Sequence, residues 1–245
     1  MTRKRALLIT IIVLLAAAVI TASIVLSPKN TTNPTPPNSL GTNAEGFEIS
    51  PVKAGEGGTT LAPDGITPIG YPPTCDGAYA AAINYRKTLQ TTDETWPNVR
   101  KTLLAISASP NALESRISLT DELIEKYGAK NFVSVDMKAL GIFKPLECTK
   151  GKVAKVLVSE VSFLQYPETS PSAIVQAVPI DLVWQDGDWK IASSSEASPA
   201  ESLSLELQTS GPVSITPKIT DALFTAKDGQ SISRDGWMVI SNATQ

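Results

Sequence analysis

The stretch WQDGDWKI, residues 184–191, sets the register of a β-hairpin. Asp-Gly between hydrophobic runs is a strong signal for a two-residue turn, because a type I′ turn needs positive φ at both central positions. With this Asp-Gly pair as the turn, Trp184 lies opposite Trp189, and Leu182 lies opposite Ile191. The apolar residues of both strands then share one face. Turn chemistry and hydrophobic pattern therefore predict the same hairpin.

The sequence before the hairpin is typical of strands. Residues 153–164 are rich in β-branched side chains, and apolar residues alternate from Ile174 to Trp184. Pro179 interrupts the second run. Because proline has no N–H to donate, we expect this strand to lie at a sheet edge or to carry a bulge there.

Helical spacing dominates the sequence between residues 75 and 128. Three helices are expected, beginning near Asp76, Trp96 and Asn111. Glu114 would complete a capping box for the third helix, and Gly128 would end it. Residues 131–144 are ambiguous, and we favour a short helical segment ending near Gly141. The chain thus predicts an α+β domain of helices packed on a curved antiparallel sheet.

The first residues have the features of a membrane anchor. Arg3, Lys4 and Arg5 precede an uncharged apolar run over residues 6–26. A helix of that length spans about 30 Å, the thickness of a bilayer's hydrocarbon core. A cleaved signal peptide is the alternative, but its apolar core is usually only ~7–15 residues. Basic residues stay on the cytoplasmic side, so we expect a single-pass protein of the cell membrane with its C-terminal domain extracellular.

Composition divides the rest of the chain. We interpret residues 1–5 as a cytoplasmic stub and residues 6–26 as a transmembrane helix. Residues 27–69 are rich in Pro, Gly, Thr and Asn and predict a disordered, Pro/Thr-rich linker. Residues 70–195 form the predicted domain. Residues 196–245 form a C-terminal extension that we expect to pack partly on it.

The charged and reactive residues exclude several functions. Without Arg3, Lys4 and Arg5 the chain keeps 18 of its 21 basic residues against 24 acidic ones, a net charge of −6. That balance does not suit a nucleic-acid partner. The chain has no histidine, which excludes Ser-His-Asp and Cys-His catalysis. We expect no cofactor, no metal site and no enzymatic activity.

The only two cysteines, Cys75 and Cys148, are 73 positions apart. Outside the cytoplasm an isolated pair most often forms a disulfide, and closing such a loop stabilises the fold by about 4 kcal/mol in the chain-entropy model. The alternative is a pair of buried free thiols.

Several side chains are candidates for a site. Trp184, Trp189 and Tyr85 are the residues we expect at a pocket or interface, although a cross-strand Trp pair that closes the core explains the tryptophans more simply. Carboxylates for glycosidase chemistry are conceivable at Glu160, Asp181, Asp186 and Asp188. For Asp186 and Asp188 we favour ordinary turn chemistry instead.

Helices followed by a curved sheet that ends in a Trp-flanked hairpin resemble the NTF2-like α+β cone fold. A narrower resemblance lies in Gly70-Tyr71-Pro72 and in the stretch from Gly77 to Tyr85, GAYAAAINY. These motifs are similar to those of single-pass proteins from Gram-positive, chiefly actinobacterial, conjugative elements, which are likened to VirB8/TcpC-type scaffolds of type IV secretion. The resemblance covers about Gly70 to Ile191. Cys75 stands about where that family usually has a histidine.

The resemblance implies a membrane-anchored, extracytoplasmic scaffold or interaction protein in a conjugative transfer apparatus. Its expected partners are the lipid bilayer, other membrane or secretion-machinery proteins, and a second copy of the chain. The alternative is an extracytoplasmic NTF2-like protein that binds a small ligand. A core filled by side chains would favour the scaffold, and an open apolar cavity would favour the ligand binder.

Overall fold

The computed structural model describes residues 38–90, 94–128, 133–164, 171–193, 203–209, 213, 215–226 and 228–244. All of them belong to one compact unit within residues 32–245. The described part is mixed α+β, with four helices and a curved sheet. Its elements are β1 (Glu48–Ser50), β2 (Thr60–Leu61), β3 (Pro68–Ile69), α1 (Cys75–Gln90), α2 (Trp96–Ile106), α3 (Glu114–Tyr127), β4 (Val133–Asp136), β5 (Ile142–Thr149), β6 (Val153–Leu164), β7 (Ser172–Gln185), β8 (Asp188–Ser193), β9 (Leu203–Gln208), α4 (Pro217–Leu223) and β10 (Met238–Ile240).

The long antiparallel pair β6–β7 is the centre of the sheet. One edge of β6 pairs first with β5 and then, towards Leu164, with β4. The outer edge of β7 pairs with β8 near the hairpin turn and with β9 near Ser172. The main path of the sheet runs β1-β10-β5-β6-β7-β8. All of these pairs are antiparallel except β1–β10, which is parallel.

The predicted hairpin is confirmed in its register. Trp184 pairs with Trp189 and Leu182 with Ile191. The turn residues Asp186 and Gly187 have φ values of 53° and 79°, the left-handed region that an Asp-Gly turn supplies. Pro179 pairs with β6 on one side; on the other side it lies between the last pair with β9, at Ala177, and the first pair with β8, at Asp181, and the bulge is at residues 181–182 and not at Pro179.

The helices form where the spacing predicted them, with two corrections. Helix α3 begins at Glu114 after the N-cap Leu113 and has no side-chain capping bond, so the predicted capping box from Asn111 is wrong. Gly128 ends this helix as expected, donating its N–H to the carbonyl of Ile124 at 2.8 Å. The predicted helical segment over residues 131–144 is also wrong, since β4 and β5 occupy that region.

The sheet is covered on both faces. Helices α1, α2 and α3 pack on one face in a core with the inward residues of β6 and β8, among them Val156, Val158 and Ile191. On the other face Leu157, Val161 and Val175 pack with residues from the end of the chain, including Phe224 and Trp237. The described residues between 203 and 244 are therefore integral to the fold, and β10 lies inside the sheet between β1 and β5.

Residues 38–74, here called the strap, cross the surface of the domain before α1. The predicted disordered linker over 27–69 is therefore wrong for residues 38–69, and residues 27–37 lie outside the described part. Phe47, Val52 and Ala54 are buried, and β1 is a strand of the main sheet. The proline and glycine content correctly indicated an extended chain. It could not indicate that this chain pairs with the edge of β10, because β10 lies far away in the sequence. The domain therefore includes residues 38–69 and does not begin at residue 70, as we predicted.

The disulfide between Cys75 and Cys148 is present, with Cα atoms 5.9 Å apart. It joins the start of α1 to strand β5, which contains Cys148. The predicted anchor over residues 6–26, with Arg3, Lys4 and Arg5, lies outside the described residues. In the part of the chain that the structure describes, no helix has the length and apolar character needed to cross a membrane.

Candidate functional site

The predicted residues Tyr85 and Trp189 meet at a buried carboxylate, that of Asp188. The side chain of Asp188 accepts hydrogen bonds from the backbone N–H of Tyr71 at 2.9 Å and of Trp189 at 2.8 Å. The Tyr85 hydroxyl lies 3.3 Å from the other carboxylate oxygen and 3.0 Å from the carbonyl of Trp189, and its one proton can be donated to either. We call Tyr71, Tyr85, Asp188 and Trp189 the Asp188 junction. It connects the strap, α1 and the hairpin.

Further hydrogen bonds fasten the strap beside this junction. The indole N–H of Trp189 donates to the carbonyl of Pro72 at 2.9 Å. The side-chain amide of Asn84 donates to the Tyr71 hydroxyl at 2.7 Å and to the carbonyl of Glu56 at 3.0 Å. Asn84 of α1 thus helps to hold the strap on the helix.

Burial sets the protonation of the tyrosines. Desolvation raises the pKa of Tyr71 and of Tyr85 well above the ordinary value, and the negative charge of Asp188 raises both further, while the hydrogen bond from Asn84 opposes the rise at Tyr71. Desolvation, with Asp76 nearby, raises the pKa of Tyr79 to about 12. These phenols are neutral at physiological pH. The neutral Tyr85 hydroxyl donates a hydrogen bond, whereas the Tyr71 hydroxyl accepts one from Asn84.

The two tryptophans form the predicted cross-strand pair. Their ring centroids are 5.5 Å apart at an interplanar angle of 71°, an edge-to-face contact. Trp189 and Tyr85 are both fully buried, so neither side chain is open to a ligand or a partner in this conformation. Trp184 is only partly buried against the same core and remains the one of the three that a ligand or partner can reach.

Glu160 is committed to a second buried polar cluster, between α1 and the sheet. Arg86 of α1 donates from Nε and Nη2 to the two carboxylate oxygens at 2.6 and 2.7 Å. Gln176 and Ser162 donate to the same carboxylate at 2.6 and 3.1 Å. The Glu160 side chain is 0% exposed. Its oxygens are occupied by this network, which suits a structural ion pair better than a general acid.

The remaining carboxylates divide between surface and core. Asp186 is exposed in the hairpin turn, as the interpretation from turn chemistry requires. That interpretation is wrong for Asp188, which begins β8 and is buried beneath the strap. The local sequence gave no indication that Asp188 would be buried, because the residue that covers it, Tyr71, is 117 positions away. Asp181 is half-buried in β7, away from the turn.

Two open grooves lie on the surface of the part of the chain that the structure describes. One, of about 360 Å³, lies between the strap and the start of α1 and is lined by Lys53, Glu56, Asp76 and Ala80 among others. Burial raises the pKa of Asp76 there. The other, of about 400 Å³, lies beside Arg234, which pairs with Asp221 and stacks on the ring of Phe224. Neither groove is lined by Tyr85, Trp184 or Trp189.

Among the described residues, no three His, Cys, Asp or Glu side chains are placed to hold a metal ion. Comparisons with protein-family models, with curated proteins and with solved structures found no match. A functional proposal for this chain therefore rests on its own sequence and geometry.

Proposed function

We propose that this chain is a membrane-anchored, extracytoplasmic scaffold protein whose domain binds other proteins of an envelope-spanning machine. The observation that carries the proposal is the filled space between sheet and helices. Ile83, Tyr85, Leu103 and Trp189 occupy it and are each at most 2% exposed. Such a core leaves the surface as the place where the domain acts.

The disulfide supports the location. Disulfides persist in oxidising compartments and are rare in the cytosol, so the Cys75–Cys148 bond fits a domain held outside the cytoplasm. The basic cluster at residues 3–5 and the apolar run over residues 6–26 supply an anchor of the matching orientation. In this proposal the bilayer is the first partner of the chain.

The order of the elements supports the finer proposal of an NTF2-like domain. Three helices precede strands β4 to β8 in the chain and pack on one face of the sheet, and β7 and β8 form the Trp184–Trp189 hairpin. On the resemblance of residues 70–191, we place the protein in a conjugative, type IV secretion-like apparatus. Its partners there are other membrane or secretion-machinery proteins and a second copy of the chain.

The second candidate is binding of a small ligand, and the groove beside α1 is the observation that favours it. Its volume of about 360 Å³ falls within the usual range for ligand sites. It is open and mixes Lys53, Glu56 and Asp76 with apolar residues, whereas most ligand sites are enclosed and largely apolar. The scaffold therefore remains the better-supported function.

Photo-crosslinking in cells tests the scaffold. A photoreactive residue replaces Leu61, Leu104 or Val153, one at a time, in the full chain; all three side chains are exposed and lie on different elements. We expect adducts of discrete mass at some positions and none at others, with proteins identified in them by mass spectrometry.

Lanes without irradiation are the control. Absence of any protein adduct at all positions and under every growth condition would overturn the proposal, and a small molecule released on denaturing the domain would favour the ligand binder.

A further inference from the structure

The first and last strands of the described domain lie side by side and point the same way. Glu48 pairs with Met238, Ile49 with Val239 and Ser50 with Ile240. The chain enters β1 at one end of this parallel pair and leaves β10 at the other end. A force that pulls these two outgoing segments apart therefore loads the strand pair in shear. Its hydrogen bonds share the load and do not open one at a time, as they do when a hairpin is peeled.

Hydrogen bonds beyond the strands extend the same pairing. The N–H of Ser241 donates to the carbonyl of Val52 at 3.0 Å. The side chain of Asn242 accepts from the N–H of Ala54 and donates to the carbonyl of Ala54, both at 3.0 Å. The side chains of Val52 and Ile240 are buried in the core beneath the helices. Residues 48–54 and 238–242 thus form one continuous seam.

The segment before β1 has a different mechanical character. Residues 40–42 fold back along the outer edge of β1, where Leu40 donates to the carbonyl of Ile49 at 2.7 Å and Ile49 donates to that of Gly41 at 2.8 Å. This short antiparallel contact opens bond by bond when residue 38 is pulled. It yields first and brings the load onto the seam.

The rest of the strap is fastened in series behind the seam. The side chain of Asn84 holds Gly55 and Glu56, Thr67 contacts Thr88 at 2.6 Å, and Asp188 holds Tyr71. The series ends at Cys75, which is bonded covalently to β5. Unravelling from the strap side therefore cannot pass residue 75 while the disulfide is intact.

We propose that β1, β10 and Asn242 form a mechanical clamp that keeps the strap docked under tension, with the Cys75–Cys148 bond as the stop behind it. This goes beyond the scaffold proposal. Tension in the cell requires the proposed anchor, but the clamp is a property of the folded residues. It can therefore be measured whether or not a partner is ever found.

The test is force spectroscopy on the detergent-solubilised full chain, held by handles fused to its two ends. Asn242→Ala removes the two side-chain bonds to Ala54. Asn98→Ala, on the exposed side of α2, is the matched control. Residues 1–37 are the same in every variant, so their extension is common to all traces. Asn242→Asp is a second variant: it keeps the acceptor for the N–H of Ala54 but turns a carboxylate oxygen toward the carbonyl of Ala54, where the native amide donates.

At a fixed force we expect Asn242→Ala to shorten the lifetime of the first cooperative rupture about tenfold, for two lost bonds of ordinary strength. Asn242→Asp should also shorten the lifetime, and Asn98→Ala should match the unaltered chain. Reductant should add about 25 nm to the extension after rupture, from 73 residues at ~3.4 Å each, without changing the first lifetime. Equal lifetimes for the Asn242 variants and the control would overturn the clamp. So would stepwise extension of residues 48–74 before the main rupture, or a first lifetime that falls on reduction.

Discussion

At the scale of single residues, Asp188 holds three distant parts of the chain through one carboxylate. Two backbone N–H groups and the Tyr85 hydroxyl point at it, and it is 6% exposed. Asp188→Asn removes the negative charge that strengthens these hydrogen bonds and that pairs with Lys190 Nζ at 3.7 Å. We expect a loss of about 1–3 kcal/mol in the free energy of unfolding, measured by urea denaturation.

Asp186→Asn is the matched control, because Asp186 is exposed and its φ is 53°. Asparagine adopts this left-handed conformation readily, so the expected change is within about 0.5 kcal/mol. If the two substitutions destabilised the domain equally, the role assigned to Asp188 would be wrong.

The buried tyrosines predict the alkaline behaviour of the domain. A folded-state pKa above the ordinary value of about 10 means that the fold favours the neutral phenol. This contribution to stability is complete below pH ~10 and is lost as the pH rises through the folded values, near pH 12 for Tyr79. In an absorbance titration of tyrosinate, Tyr71, Tyr79 and Tyr85, three of the five tyrosines, should ionise above pH 10 or only on unfolding. The curve in urea with reductant is the control, and overlap of the two curves would contradict the prediction.

At the scale of elements, the Arg86–Glu160 pair fixes α1 against the sheet. Glu160→Gln leaves Arg86 without its charge partner in a buried position, and we expect a loss of about 3 kcal/mol or more. The exposed Lys53–Glu56 pair is the control, since Glu56→Gln should cost less than about 1 kcal/mol. A double-mutant cycle of Glu160→Gln with Arg86→Leu measures the coupling. A coupling energy near zero would show that the two side chains do not stabilise the domain as a pair.

Elements with a strong local pattern were predictable from the sequence. The hairpin at residues 184–191, strand β6 and helix α1 each carry their period and their turn or cap signals within a few residues. The helical segment predicted over residues 131–144 is wrong because this region pairs with β6: β4 pairs with residues 25 to 31 positions away, and Phe143 and Lys144 pair with residues 15 and 13 positions away. Strand formation in this region depends on pairing with the edge of β6 and not on local propensity.

At the scale of the whole molecule, the disulfide encloses α1, α2 and α3 in one covalent loop, while α4 lies outside it. Cys75→Ser should lower the free energy of unfolding by about 2–5 kcal/mol, as is usual for a native disulfide in a small secreted domain. The measurement is urea denaturation of the variant beside the unaltered protein with and without reductant. The variant and the reduced protein should unfold at the same urea concentration. An unchanged midpoint for Cys75→Ser would remove the stabilising role of the bond.

The candidate site was only partly predictable at this scale. Spacing placed Tyr85, Trp184 and Trp189 on the core-facing side, and they do meet there. The packing of the strap could not be predicted from composition. The segment is rich in Pro and Gly and has no hydrophobic periodicity, yet single residues such as Phe47 and Tyr71 are buried against distant elements. The burial of Asp188 and the junction around it follow from that packing, so neither had a local signal.

The central claim is that a disulfide-bonded domain lies outside the cytoplasm, and the two cysteines can test both parts at once. Because the chain has only these two cysteines, a membrane-impermeant maleimide added to intact protoplasts reports on Cys75 and Cys148 without background. The account predicts no labelling of the untreated chain and two labels after an impermeant reductant, read as intact mass. Labelling without reductant would contradict the bond. Labelling that needs permeabilised membranes would place the domain in the cytoplasm and contradict the account.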